Sequence, residues 1–506
     1  MLGYGDGGSF VPARNWIRCW KMTGIAYQEL EQFGNDVNDA SDRGDVVGLQ
    51  GLDDKAAKYT EDEGSDYAAY VWYFRSNIQA AMQDLSNPRS WEWRQKHRER
   101  QILYLRRAAS HKTFIRLAPT SQAAVLTNLA NGLSSFGRGI EAIELYDAAL
   151  AFVPQFAMAL GNRGNAMQTL SFHIPDRGHA TLVAAYAHAN LKAALAPDAL
   201  WESGDPSANA YFSSLATQIE SRIKPEKIIA SNSLDAFSLG RSKEEQSYRR
   251  WALRNNLFLN PLMAIGPHAI AATDRMNLPS YISTIGDPPT FIAWFNQMKQ
   301  EYVAARWFLY EGTLPAKKHF VDKDVFLANT LDYPAFGIQV EKLRASFRIA
   351  FGLLDKIAGF INAYYQVGMD PKRVDIRNIW HTNKGEVRPE FLDKENLALR
   401  GLYWLALDII GDDPADQDSI APEAAELKRL RNLMEHRCLV LREMDVESPM
   451  GAVETSARED FEGHAMHILS LARSAIMYLA FSMRKEELDR RPKKSEFIPG
   501  MELPIL

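Results

Sequence analysis

Apolar residues return at intervals of three and four along most of this chain, and wherever the pattern persists it predicts an amphipathic helix. It is strongest over residues 289–310, 335–365, 394–410, 422–444 and 457–488, and it recurs at 16–33 and 67–85. Period-two alternation is nearly absent, so the expected class is all-α. Residues 34–64, rich in Asp and Gly, break the pattern and read as an exposed acidic connection. A second break at 203–242, with Gly204, Pro206, Lys224 and Pro225, reads as a domain boundary.

Within the helical region one stretch repeats. Leu126, Leu129, Ala130, Leu133, Ala142, Tyr146, Ala149 and Pro154 fall at the key offsets of a repeat of about 34 residues, and the segment resembles a tetratricopeptide unit. Gly137 and Gly139 supply the turn between its helices, and Pro154 ends the second. A weaker unit starts near Ala157 with Leu160, Gly164 and Met167, leaves the pattern at 174–178 and ends near Pro197. One unit cannot bury its own apolar face, so the earlier helices are expected to stack on it. The expected division is a helical region of degenerate repeats at 1–120, tetratricopeptide-like (TPR) repeats at 121–200, a linker at 201–245, a helical bundle at 246–490 and a tail at 491–506.

Composition narrows the setting. A chain of 506 residues with 46% hydrophobic and 24% charged residues can bury an ordered core and is long enough for two or three domains. Cys19 and Cys438 cannot build a disulfide framework or a thiolate metal cage, and no basic stretch followed by an apolar run opens the chain, so a cytoplasmic protein is expected. The most apolar run, 468–483, is interrupted by Ser470, Arg473 and Ser474, so no membrane span is expected. A net charge of −5 gives no general attraction to nucleic acid. Residues 89–116 depart from that average, with nine Lys or Arg against two Glu and with Trp91, Trp93 and Tyr104 interleaved. Arg94, Lys96, Arg98, Arg100, Arg106 and Arg107 are therefore candidate contacts to an RNA backbone. Because Ile102, Leu103, Leu105 and Ile115 share those helices, a solvated helix face over a core is the competing reading.

The candidate chemistry lies on the helix predicted at 422–444. Ser419 is its cap candidate, Pro422 falls in the first turn, and Glu423 and Glu426 sit near its positive end. Leu427, Leu430, Met434, Cys438 and Leu441 form an apolar stripe, while Asn432 and His436, four apart, share a neighbouring face. The run Arg431-Asn432-Leu433-Met434-Glu435-His436 resembles the arginine, four to six residues, histidine signature of HEPN domains, including the asparagine that often follows the arginine. Tyr248-Arg249-Arg250-Trp251 and Asn256-Leu257-Phe258-Leu259-Asn260-Pro261-Leu262 resemble the opening of one HEPN branch, so the likeness extends over 248–488. Spacing alone is weak evidence, since Arg106 with His111 and Arg458 with His464 also satisfy it and Arg377 with His381 misses by one residue; the asparagine and the upstream block single out Arg431–His436.

The resemblance implies a metal-independent endoribonuclease without a cofactor, acting on RNA as a homodimer, as HEPN toxins and antiviral effectors do. An imidazole titrates near neutral pH and can take the proton of a ribose 2′-hydroxyl, and a guanidinium can hold a phosphate. His436 would be the base, Arg431 the phosphate clamp and Asn432 an orienting group, with Glu435 and His464 as auxiliary candidates. The repeats would bind a protein partner or trigger. Two alternatives stand beside this. Arg431 and Glu435, four apart, could simply pair along the helix. The whole chain could be a non-enzymatic TPR scaffold whose bundle dimerises or binds a nucleotide. Glu462, His464 and His467 lack a fourth metal ligand, and no Walker, dinucleotide-glycine, HExxH or nucleophile-elbow motif is present.

Overall fold

The computed structural model describes residues 25–60, 67–86, 91–201, 206–283, 286–315, 319–409, 421–444 and 453–490. Cys19, Ser419, the beginning of the helix expected at 16–33 and the tail at 491–506 lie outside them. The described residues form seventeen α-helices and two four-residue strands, which is the all-α class that the periodicity predicts.

The amino-terminal part is a series of helices packed on their neighbours: α1 (Ile25–Asp42), α2 (Val46–Thr60), α3 (Ala68–Ser86), α4 (Lys96–Ser110), α5 (Pro119–Ser135), α6 (Gly139–Phe152), α7 (Ala157–His173) and α8 (Arg177–Ala194). The α5–α6 and α7–α8 hairpins occupy the two stretches where the repeat pattern is legible, and the buried Leu126, Leu129, Ala130, Leu133, Ala142, Tyr146 and Ala149 are residues the pattern assigns to the interior. Residues 34–60 of the acidic segment are not a loop. They are helical on both sides of Gly44, whose backbone is left-handed, and Val37, Ala40, Leu49 and Ala56 bury one side of them. Most of their acids face solvent around an apolar stripe too sparse to stand out in composition, while Asp53 is buried against Arg75 at 2.7 Å. Residues 201–245, the expected linker, likewise hold α9 (Pro206–Glu220) and α10 (Pro225–Ser231), both packed against α8, with Phe212 and Ile219 of α9 and Pro225 of α10 buried.

After α11 (Lys243–Arg254) the chain builds a bundle from α12 (Thr290–Thr313), α13 (Ile338–Tyr364), the single turn α14 (Pro389–Leu392), α15 (Leu397–Leu407), α16 (Ala424–His436) and α17 (Arg458–Arg490). By length and apolar content α17 could cross a membrane, yet it is the core helix of this bundle, with most of its apolar window buried against α12, α13 and α15. Between α16 and α17 lie β1 (Leu439–Arg442) and β2 (Glu454–Ala457), paired in parallel with Leu439 opposite Glu454. The helix expected to run to residue 444 therefore stops at His436: Arg437 adopts extended backbone, Leu441 is buried from a strand, and Cys438 is exposed.

The repeats and the bundle share one continuous core. Phe136 stacks on Trp404 with centroids 3.5 Å apart, and Trp404 donates from its indole to the Trp93 carbonyl at 3.0 Å. Buried Asp408, just past α15, accepts from Arg138 at 2.6 Å and from Arg106 at 2.6 and 2.9 Å. From α17, Arg473 pairs with Glu144 at 2.6 Å, and the Tyr478 hydroxyl donates to Glu141 while accepting the Ile140 N–H. The backbones also touch: Gly137 has φ +85, and a Cβ there would sit 1.9 Å from the Leu397 carbonyl oxygen. Only glycine fits that turn and that approach together.

Candidate active site at the end of the motif helix

Helix α16 forms because Ala424, Leu427, Leu430, Leu433 and Met434 recur at helical spacing and are buried, with Glu426 in the first turn opposing the positive end of the dipole. Glu423 stands at its N-cap without a side-chain cap bond, and Pro422 precedes the helix rather than entering it. Its carboxy-terminal end is finished by another element. Arg348 of α13 donates to the Met434 carbonyl and Arg344 donates to the Leu439 carbonyl at 2.6 Å, so two guanidiniums satisfy backbone oxygens on either side of His436.

The motif residues divide between two faces. Five positions of helix turn the last side chain roughly 140° from the first, so Arg431 and His436 do not point the same way. Arg431 leans onto α13, where Nη2 donates to Asp355 Oδ2 at 3.1 Å and the guanidinium lies 4.7 Å from the centre of the Phe351 ring. Asn432 and His436 are exposed, and their side chains form no hydrogen bond, ion pair or ring contact among the described residues. Glu435 does not pair with Arg431 along the helix; it faces Arg348 at 3.6 Å. The auxiliary candidate His464 lies on α17, half-buried, and forms no hydrogen bond or ring contact with His436 among the described residues. Neighbouring Glu462 is taken by Arg458 at 2.9 Å, and His467 faces Glu423 at 4.0 Å.

Four residues of α13 carry the support for the motif: Arg344, Arg348, Phe351 and Asp355, spaced by four, three and four on one helical face. The sequence reading missed them. Their signal was a charged and aromatic line along an otherwise apolar helix. Asp355 also accepts the Ile376 N–H at 3.1 Å. Burial pushes its carboxyl up, and the nearby Asp375 adds to this, while the Ile376 amide, Arg431 and Arg377 pull it down. The near-miss segment Arg377–His381 thus borders the site without forming one: Arg377 pairs with Asp375, Trp380 is fully buried, and His381 bonds the Tyr403 hydroxyl at 3.2 Å.

Residues 282–486 match the LA2681-like HEPN family. The chain carries a HEPN-type domain. That match contains the motif helix, its α13 support, both strands and nearly all of α17, and it begins after the Tyr248–Leu262 block. The block instead buttresses the HEPN domain from outside the match, with Arg306 of α12 bonded to Asp274, to the Tyr248 hydroxyl and to the Leu257 carbonyl. No curated protein and no solved structure matches the chain.

Several basic side chains at 94–107 are engaged within the fold. Arg106 is the buried partner of Asp408, Arg94 is bidentate on Glu99 at 2.7 Å, Arg98 pairs with Asp84 at 2.8 Å, and Arg107 lies 4.7 Å above the Trp72 ring. Lys96 is exposed and Arg100 half-buried. The rings expected to stack on bases are also committed: Trp93 packs among Trp380, Phe391 and Tyr403, Trp91 lies under Arg400, and Tyr104 accepts from Arg75. A local charge count could not register Asp408, which lies 302 residues from Arg106.

Proposed function

We propose that this protein is a metal-independent endoribonuclease of the HEPN type. The observation that carries the reading is the exposed Asn432–His436 face at the end of α16, flanked by an arginine whose direction Asp355 and Phe351 fix, inside the matched HEPN segment. An exposed imidazole can reach a ribose 2′-hydroxyl directly. The 2′-oxygen gives its proton to His436 and bonds to the adjacent phosphorus, and the bond from phosphorus to the 5′-oxygen breaks. The leaving oxygen takes a proton from solvent, so the products are a 2′,3′-cyclic phosphate and a 5′-hydroxyl. Arg431 spends one of its five N–H donors on Asp355 and has others to offer the phosphate. Asn432 orients the substrate, and Glu435 and His464 have no step in this scheme.

The active form we propose is a homodimer with two motif helices sharing an RNA cleft. Beside the motif the α12–α13 connection exposes Phe320, Phe326, Leu327, Leu331, Tyr333 and Phe336, and it pairs with β1 through Ala335 N–H to the Leu441 carbonyl. An apolar stretch of that kind supports an interface between copies. The setting we propose is cytoplasmic, in antiviral defence or stress response as a toxin-like effector, with the repeats binding a protein trigger or partner. The full chain should cleave single-stranded RNA in the presence of a chelator and leave cyclic phosphate ends; products with 3′-hydroxyl ends, or a requirement for a divalent ion, would refute the mechanism.

A second reading, a TPR scaffold with an inactive HEPN bundle, draws on the Arg431–Asp355 pair, which serves the packing of α16 on α13 whether or not RNA is bound. It predicts no cleavage under any of these conditions.

A further inference from the structure

Between α13 and α15 the chain turns back on itself over residues 380–388. The Thr382 N–H meets the Glu386 carbonyl at 2.8 Å, the Arg388 N–H meets the Trp380 carbonyl at 2.9 Å, and Gly385, with φ +78, makes the turn. His381 pairs with Val387, so the Arg388 backbone lies beside that of Trp380 and His381. Trp380 anchors the turn in an aromatic cluster with Phe391, Tyr403 and Trp93, the last of which comes from the segment before α4. Hydrogen-bond donors collect here without acceptors. Arg388 is half-buried with Nε sealed from solvent, and its guanidinium forms no ion pair or hydrogen bond among the described residues. Trp93 is 4% exposed, and its buried indole Nε1 also has no acceptor. His381 meets the Tyr403 hydroxyl through Nε2 at 3.2 Å; when Nε2 accepts, Nδ1 carries the proton as a further donor. Burial holds the His381 imidazole below its ordinary range, and Arg94 and Arg388 push it the same way with no carboxylate opposing them. Arg94 is already bidentate on Glu99, so the uncompensated charge is that of Arg388. A guanidinium drawn partly out of water without a partner costs free energy that a bound anion returns.

We propose that Arg388, with the Nδ1–H of His381, binds a phosphate group at this turn. A guanidinium fork matches two phosphate oxygens, and an imidazole N–H can take a third, which a carboxylate does not have. Lys384, exposed at the tip of the turn, adds to the positive field. The same segment reaches the motif: the Ile376 N–H bonds Asp355, which holds Arg431, and the five residues from Ile376 to His381 span at most about 18 Å when extended. The phosphate therefore belongs either to a free phosphate compound or to a strand whose scissile phosphate Arg431 clamps. The second source alone rests on the ribonuclease reading.

The test uses the full chain with two probes: inorganic phosphate, read by calorimetry, and a fluorescent ten-nucleotide deoxyadenylate, read by anisotropy, which has no 2′-hydroxyl and is not cut. Arg388→Gln removes the unpaired charge and should weaken binding by about tenfold or more, and His381→Gln should weaken it by about fivefold, with the unfolding midpoints of both variants held. If the oligonucleotide binds tighter than phosphate and phosphate displaces it, the turn holds one phosphate of a strand. If it binds no tighter, the ligand is a free phosphate compound. Either outcome supports the site. Absence of binding by both probes at millimolar concentration, binding indifferent to Arg388→Gln in folded protein, or phosphate binding lost in Arg431→Gln instead, overturns it. A chain that binds phosphate through Arg388 yet never cleaves RNA would sink the ribonuclease reading and leave this site standing.

Discussion

The junction between the repeats and the bundle, and the carboxy-terminal end of α16, use the same residue types in opposite ways. At the junction, Arg106, Arg138 and Arg473 are drawn inward, each on a carboxylate, and Trp93 and Trp404 fill the core between them. At the motif, Asn432 and His436 project outward with no bond to hold them among the described residues, and Arg431 is tied to a neighbouring helix. A dense run of arginine and tryptophan therefore marked architecture, and a sparse trio marked the candidate chemistry. Buried ion pairs fix how the two halves sit together, because breaking one strands a charge away from water. A catalytic base needs the reverse: support beneath it and open space in front.

Changes at the junction should appear as lost stability. The largest effect is expected for Asp408→Ala, which removes the buried carboxylate shared by Arg106 and Arg138, leaves Arg138 with Glu141, and should cost about 3–5 kcal/mol in denaturant unfolding. A cost below 1 kcal/mol would mean that the junction is not held by this cluster. Gly137→Ala should cost about 3 kcal/mol, since the new methyl meets the Leu397 carbonyl in a left-handed turn.

A pH effect comes next. His173, whose ring lies 6.1 Å from that of Phe481, is pushed down to about 4, first by burial and then by Arg484 and Lys485. Its neutral form is preferred in the folded state, so the unfolded chain takes the proton first. Its contribution is complete above about 6.5 and is lost as pH falls toward 4, by about 3 kcal/mol. Unfolding curves of the wild type and His173→Asn should converge over that window; parallel curves would place the titration elsewhere.

Asp355→Asn is the smallest structural change and the sharpest probe of the comparison. The pair is half-exposed, so stability should fall by only about 0.5 kcal/mol, while a loosened Arg431 should lower RNA cleavage by about tenfold. Equal loss in both measurements would assign Arg431 to the junction's kind of role.

Much of the fold was readable as helical period. The cores of α12, α13, α15 and α17 fall where Phe295, Met298, Tyr302, Phe347, Leu354, Leu402 and Leu469 recur at three and four. The part of α1 beyond Phe33 and all of α2 were hidden by their acids, and α9 and α10 by flanking Gly and Pro residues. The run Leu439–Arg442 fits either period over four residues, so β1 was absorbed into the preceding helix. The motif was legible because its residues are local. Its support was not, because Asp355 meets Arg431 across 76 residues and no local window contains both.

The central claim is that His436 performs chemistry on a framework that does not need it. Cleavage of single-stranded RNA by purified His436→Ala in chelator, measured beside its thermal unfolding, tests that most directly. The account predicts a rate lower than wild type by about a hundredfold or more, with the unfolding midpoint unchanged. Wild-type cleavage by the folded variant would contradict it.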